Sequence, residues 1–280
     1  MVNSKFNSYT VLVLWWLNCK KSLLQAATQL EKNALTASGL WAVVDLLYSC
    51  MKCTAYPVGV HSWTFGDEES QYRKRVKRGE ISEEFWTANP IEYRINSAGF
   101  RDQEFDPSVC HTVALGCSLT FGLGVPESWR WSNLMGATMN LSEGGAGQES
   151  CFRFLRWDCE SGYRIGRVLY LEPIAARRQL WRDDIGHGWS VVCAWGHYGI
   201  GREFQTRLLS EPECTESQAR VRWGITGLAR TYGFTVETVN VEDPQLWEFY
   251  DTLARDCGHP GARGHQWLAD NWNSLTKITL

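Results

Sequence analysis

The stretch from His111 to Gly124, HTVALGCSLTFGLG, decides the fold class of this chain. Its apolar, β-branched run at residues 112–115 ends at Gly116, which predicts a buried strand followed by a sharp turn. Ligands and nucleophiles of open α/β sheets lie at the carboxyl ends of the strands. The hydroxyl of Ser118 therefore stands where a reactive group is expected. An ordinary strand-to-helix connection, capped by a serine or threonine, is the alternative that this stretch leaves open.

A second informative stretch lies near the end of the chain. Asp256 and His259 stand three residues apart in a loop rich in glycine and proline. A carboxylate this near to an imidazole can accept the proton of Nδ1 and fix the tautomer of the ring. Nε2 is then free to take a proton from a serine hydroxyl.

Together the two stretches resemble the SGNH (GDSL-type) hydrolases, which carry a Gly-Asp-Ser-x-x-x-Gly block near the first strand and an Asp-x-x-His block near the end. The resemblance implies that Ser118 is the nucleophile, His259 the general base and Asp256 the residue that orients it. It covers residues 90–275 approximately. A middle block is similar too: Asn140 begins it, and Gly145 is implied to supply an oxyanion N–H beside that of Ser118.

The chain departs from the family pattern at two places. The exit of the strand predicted at 167–171 lacks the family's Asn, and losing one oxyanion donor typically costs about 10²–10³ in turnover. Either Arg177 or Arg178 replaces that donor, or both arginines bind a surface carboxylate; the sequence leaves both open. Cys117 stands where the family has Asp, and this Gly-Cys-Ser form looks similar to variants in viral relatives.

Strands and helices alternate from about residue 112 to residue 275. This alternation predicts a three-layer α/β/α fold with a parallel sheet, which the resemblance makes flavodoxin-like. The predicted strands after the first are 139–142, 167–171 and 234–241, and the predicted helices include 148–157 and 215–232. We expect residues 1–55 to form a helical N-terminal extension and residues 56–280 the hydrolase-like domain, with a lead-in segment at 56–110. Within the lead-in, the turn from Asn96 to Arg101 is expected to be structural.

Composition sets further bounds. The 280 residues are 44% hydrophobic, enough for a substantial core, and a net charge of −3 gives no general attraction to nucleic acid. The basic run at 72–78 is flanked by acids and predicts a solvated helical face. The ten cysteines are scattered, which favours free thiols in a reducing, cytoplasmic setting over a disulfide framework. A virion-associated location is the alternative that the viral likeness offers.

The N-terminal extension offers two alternatives of its own. Residues 9–17 are apolar but too short to span a bilayer, so contact with a protein partner is favoured over membrane association. Cys50 and Cys53 form a single C-x-x-C pair without the second pair that a zinc site needs. No metal site is therefore predicted there.

The function expected from these observations is serine-dependent hydrolysis of small acyl or O-acetyl esters, including esters on carbohydrate, through an acyl-enzyme. Because a base activates the hydroxyl, neither a cofactor nor a metal is expected. The alternative is a catalytically weak SGNH fold used for binding or assembly. The missing Asn, the substitution at Cys117 and the long extension motivate that alternative.

Overall fold

The computed structural model describes residues 56–181, 189–193, 206, 209–242, 253–275 and 277–278. The predicted helical extension at residues 1–55 lies outside these ranges, and with it the apolar segment at 9–17 and the Cys50/Cys53 pair.

The described part of the chain contains nine strands and seven α-helices. The strands are β1 (Gly59–His61), β2 (Tyr93–Ile95), β3 (Cys110–Gly116), β4 (Met139–Ser142), β5 (Arg164–Glu172), β6 (Arg177–Trp181), β7 (Trp189–Cys193), β8 (Thr235–Asn240) and β9 (Lys277–Ile278). The helices are α1 (Glu69–Lys77), α2 (Glu83–Ala88), α3 (Ser118–Phe121), α4 (Trp131–Leu134), α5 (Gln148–Glu160), α6 (Glu211–Tyr232) and α7 (Ala262–Asn271). A 3₁₀ turn at Glu127–Trp129 precedes α4.

The central sheet has five strands in the order β4-β3-β5-β8-β9. The first four strands run parallel, and β9 pairs antiparallel with β8 at one edge. The predicted parallel sheet is thereby confirmed. The register pairs Gly116 at the end of β3 with Ser142 at the end of β4, so the segments that leave these two strands start side by side.

Helices cover both faces of this sheet, which gives three layers. On one face Phe154 of α5 and Ile225 of α6 pack with Val113 and Tyr170, all fully buried. Burying each apolar side chain of this size stabilises the fold by about 1.5–3 kcal/mol relative to leaving it exposed.

On the opposite face, Leu268 of α7 and the stacked indoles of Trp131 and Trp272 pack on Ala114 and Leu169. The two indole ring centres lie 4.7 Å apart. These contacts bring α7 and α4 together on this face of the sheet.

Local patterns in the sequence located most of the long elements. β4 lies where it was predicted, and α6 ends before Gly233, which adopts φ +78°, a left-handed conformation that suits glycine. The helix starts earlier than predicted, at Glu211, because a proline in its first turn supports the start. Helix α1 has no buried residue, so the predicted solvated face at 72–78 is confirmed.

The pairing of the short strands did not follow from the sequence. β1 and β2 form an antiparallel pair within the lead-in segment, and β6 and β7 form an antiparallel hairpin. None of the helices in the described ranges has the length and apolar character needed to cross a membrane.

Candidate active site

Ser118 stands at the junction of β3 and α3. Gly116 closes the strand, and a side chain there would press on Thr120 and lie 3.0 Å from the carbonyl oxygen of Leu171, so only glycine fits. Ser118 is the first residue of α3 and is 5% exposed. The N–H groups in the first turn of a helix have no acceptor within the helix. The Ser118 N–H likewise has no acceptor among the described residues.

The hydroxyl of Ser118 belongs to a chain of hydrogen bonds. Its Oγ lies 2.7 Å from Nε2 of His259, and Nδ1 of His259 lies 2.5 Å from Oδ2 of Asp256. With the proton on Nδ1, His259 donates to the carboxylate and Nε2 accepts the hydroxyl proton. The side chain of His259 is 22% exposed and that of Asp256 4% exposed. This arrangement satisfies the geometric requirements for an activated serine.

The loop at residues 253–260 brings the acid and the base together. The Ala254 N–H donates to the His259 carbonyl at 2.9 Å, and the Cys257 N–H donates to the Ala254 carbonyl at 2.9 Å. Cys257 adopts φ +52°, the left-handed region that side chains other than glycine seldom enter. The tight loop therefore directs the side chains of Asp256 and His259 toward each other although only two residues separate them.

The turn after β4 contributes a second unpaired amide at the same sheet edge. Gly145 adopts φ +82°, and its N–H has no acceptor among the described residues. Asn140, the first residue of the predicted middle block, instead has a structural contact: its Nδ2 donates to the carbonyl of Thr120 at 2.9 Å. It thereby ties β4 to α3. The oxyanion role of Gly145 stays a prediction.

The two arginines after β5 have different surroundings. Arg178 donates through Nε to Glu149 at 2.5 Å and through Nη1 to Glu213 at 3.1 Å. Of the two roles that the sequence left open, carboxylate binding is therefore the one observed for Arg178. Arg177 lies at the start of β6, with its backbone against Gly147. Its role as an oxyanion donor stays a prediction.

Cys117 precedes the serine and lies in the apolar core. It is 3% exposed and lies in the apolar cluster that also holds Cys151 and Tyr170. Burial, together with the nearby Cys117, raises the pKa of the Cys151 thiol well above its usual value. Both ring nitrogens of His259 contact other groups, Ser118 and Asp256.

Two buried residues near the site make contacts that the sequence did not reveal. Arg101 is fully buried and donates to backbone carbonyls around the end of α3, including that of Val125 at 2.9 Å. Burial lowers the pKa of Arg101 to about 10, with a further contribution from Arg130. Fully buried arginines are rare, and composition gives no signal for them.

His265 is the second of these residues. It is the fourth residue of α7, which begins at Ala262. Its Nδ1 accepts the backbone N–H of Trp131 at 3.1 Å, a contact that joins α7 to α4. Burial lowers the pKa of His265 to about 3, with the charge on His259 a smaller cause.

Comparisons with known proteins complete the description of the site. A scan against models of protein families finds no match, and a search of curated proteins finds none. In the described ranges, no group of three or more His, Cys, Asp or Glu side chains is placed to hold a metal ion.

Proposed function

We propose that this chain is a serine-dependent ester hydrolase of the SGNH type, with the flavodoxin-like arrangement of that family. One observation carries the proposal: Ser118, His259 and Asp256 form a continuous hydrogen-bonded chain with separations of 2.7 and 2.5 Å. The serine begins a helix at the carboxyl edge of a parallel sheet, the usual position of a nucleophile in α/β enzymes.

The mechanism follows from these atoms. Oγ of Ser118 attacks the ester carbonyl carbon while Nε2 of His259 takes the hydroxyl proton, and Asp256 stabilises the resulting imidazolium. The N–H groups of Ser118 and Gly145 stabilise the oxyanion. His259 then protonates the departing alkoxide, which leaves an acyl-serine. Water, deprotonated by the same imidazole, releases the carboxylic acid and restores Ser118.

The substrate class proposed is small acyl or O-acetyl esters, including those on carbohydrate. Two features support small acyl groups: the family resemblance of the three blocks, and the low exposure of Ser118, at 5%. A nucleophile with this little exposed surface favours an acetyl group over a long acyl chain.

The test is a comparison of p-nitrophenyl acetate with p-nitrophenyl esters of longer chain length. Ser118→Ala is expected to lower kcat/KM for the acetate by at least about 10³-fold. The matched control is Ser108→Ala, since Ser108 is an exposed loop serine that should be dispensable. A folded wild-type protein without turnover on any of these esters would replace the hydrolase proposal with the binding or assembly alternative.

A further inference from the structure

A buried ion pair adjoins the loop that carries Asp256. Arg255 donates to Asp67 through Nε at 3.0 Å and through Nη2 at 2.6 Å. The side chains are 6% and 1% exposed. Nη2 also donates to the carbonyl of Ser62 at 2.7 Å, and the guanidinium lies 3.9 Å from the ring centre of Trp63. The residue next to Asp256 is thus fixed on three sides by the lead-in segment.

The same pair belongs to a closed ring of hydrogen bonds, here called the circuit, that passes through the turn following Ser118. Oδ2 of Asp67 accepts the Tyr93 hydroxyl at 2.5 Å, and that hydroxyl oxygen accepts the Gly124 N–H at 2.9 Å. The carbonyl of Gly124 in turn accepts the Arg255 N–H at 2.9 Å. The circuit links the loop of the acid to the segment of the nucleophile through two side chains of the lead-in.

The carboxylate of Asp256 depends on this circuit for its position. Its Oδ1 has no hydrogen-bond partner among the described residues, and Oδ2 binds only the imidazole of His259. Gly124 packs directly on Oδ1, since a side chain at Gly124 would lie 2.7 Å from that oxygen. Arg75 of α1 donates to the Asp256 carbonyl. The backbone before and around Asp256, and not donors to its carboxylate, therefore sets where the acid lies.

A buried ion pair is weak evidence for stability, because hydrophobic replacements of such pairs are often neutral or stabilising. Its geometric effect is more specific, since a bidentate guanidinium fixes both distance and orientation. We propose that Arg255 and Asp67 are positioning residues: they hold Asp256 where its carboxylate orients His259, and they make the lead-in segment part of the active site. This inference rests on the proposed hydrolase function of the same triad.

The experiment uses the full chain and the variants Asp67→Asn, Arg255→Met and the double variant Asp67→Asn/Arg255→Met, which leaves no unpaired buried charge and is expected to fold. The control is Arg222→Met, which breaks the pair with the buried Glu172 and touches neither loop. Two quantities are measured for the folded fraction: the rate of labelling by a fluorophosphonate across pH, and the downfield proton resonance of the His259 Nδ1–H bound to Asp256.

The Arg255 and Asp67 variants are expected to label at least about tenfold more slowly, as small misplacements of catalytic groups do. The pH dependence of their labelling should differ from that of the wild type, because His259 loses its contact with the Asp256 carboxylate. The downfield resonance should weaken or disappear. In Arg222→Met both properties should match the wild type.

An unchanged pH profile and resonance in the double variant would overturn the positioning role. If the folded wild type does not label at all, the hydrolase proposal fails separately. The resonance then decides the inference alone: its loss in the double variant supports positioning, and its persistence contradicts it.

Discussion

Nε2 of His259 lies 2.7 Å from Oγ of Ser118, although the two residues are 141 positions apart in sequence. Neither residue lies within a long helix that would fix it independently. Ser118 depends on the end of β3, and His259 depends on the loop before α7. We therefore predict that side chains supporting these two segments determine both stability and activity.

Arg101 is expected to be such a support. It donates to the carbonyls of Phe121, Val125 and Glu92, and it stacks on the ring of Tyr93 with 4.2 Å from guanidinium carbon to ring centre. Arg101→Met should lower the free energy of unfolding by about 3 kcal/mol or more, because several buried carbonyls lose a charged donor. Urea denaturation measures this change.

The control for this prediction is Arg73→Met. Arg73 forms an exposed pair with Glu69 on the solvated helix α1, so the urea midpoint should barely move. Equal effects at Arg73 and Arg101 would contradict the structural role assigned to Arg101. Arg101→Lys should recover only part of the loss, since an ammonium cannot reach the carbonyls that the guanidinium spans.

Asp158 is expected to make the fold more stable in mild acid. The residue is fully buried in α5, both carboxylate oxygens lack partners among the described residues, and burial raises its pKa to about 7. The folded chain therefore holds the proton more tightly than the unfolded chain. The stabilisation from protonation is complete below about pH 4 and is lost as pH rises through 7. Its full size is about 4 kcal/mol at roughly 1.4 kcal/mol per pKa unit.

The check on Asp158 is the variant Asp158→Asn, which has the same shape and no charge. Urea midpoints of the two proteins are compared at about pH 4, 6 and 8. The wild type should lose stability as the pH rises across this range, and the variant should not. Parallel pH dependence in the two proteins would show that the carboxyl is solvated or paired.

His265 should act in the opposite direction. The pKa of the His265 imidazole is lowered to about 3 in the folded chain. In the unfolded chain the imidazole takes up a proton at about pH 6.5, where the folded chain keeps it neutral. Stability from this group is complete above about pH 6.5 and declines as pH falls toward 3. His265→Gln keeps an oxygen to accept the Trp131 N–H and should lose this acid-sensitive component. An acid limb identical to the wild type would contradict the buried, neutral imidazole.

Arg178 is predicted to support the fold and not the oxyanion. With its guanidinium bound to Glu149 and Glu213, Arg178→Met should cost about 1–3 kcal/mol of stability and change kcat of the folded protein less than tenfold. An oxyanion donor would cost about 10²–10³ in kcat. Ester turnover, corrected for the folded fraction, separates the two roles.

The parts of the molecule that follow from local sequence were predictable. β3 contains a short apolar run and ends at Gly116, and β4 ends before a glycine-rich turn, and both features mark strands of an α/β sheet. Asp256 and His259 were predictable because their spacing is itself a local pattern. The resulting contact with Ser118 required the resemblance, since no local pattern joins residues so far apart.

Long-range pairs of charged residues were not predictable. Arg255 and Asp67 lie 188 residues apart, and each alone is typical of a solvated surface. Asp158 lies on the buried face of an amphipathic helix. The sequence shows only that an aspartate stands there, and it does not show that the carboxyl is buried without a partner. The ion pair between Asp67 of the lead-in segment and Arg255 depends on the tertiary fold, which local secondary-structure propensities do not determine.

The central claim is that Ser118 is an activated nucleophile. The most direct measurement is covalent labelling by a fluorophosphonate probe in wild type, Ser118→Ala and Cys117→Ala. We expect labelling of the wild type and of Cys117→Ala, and none of Ser118→Ala. Labelling that survives in Ser118→Ala, or a folded wild type that does not label, would contradict it.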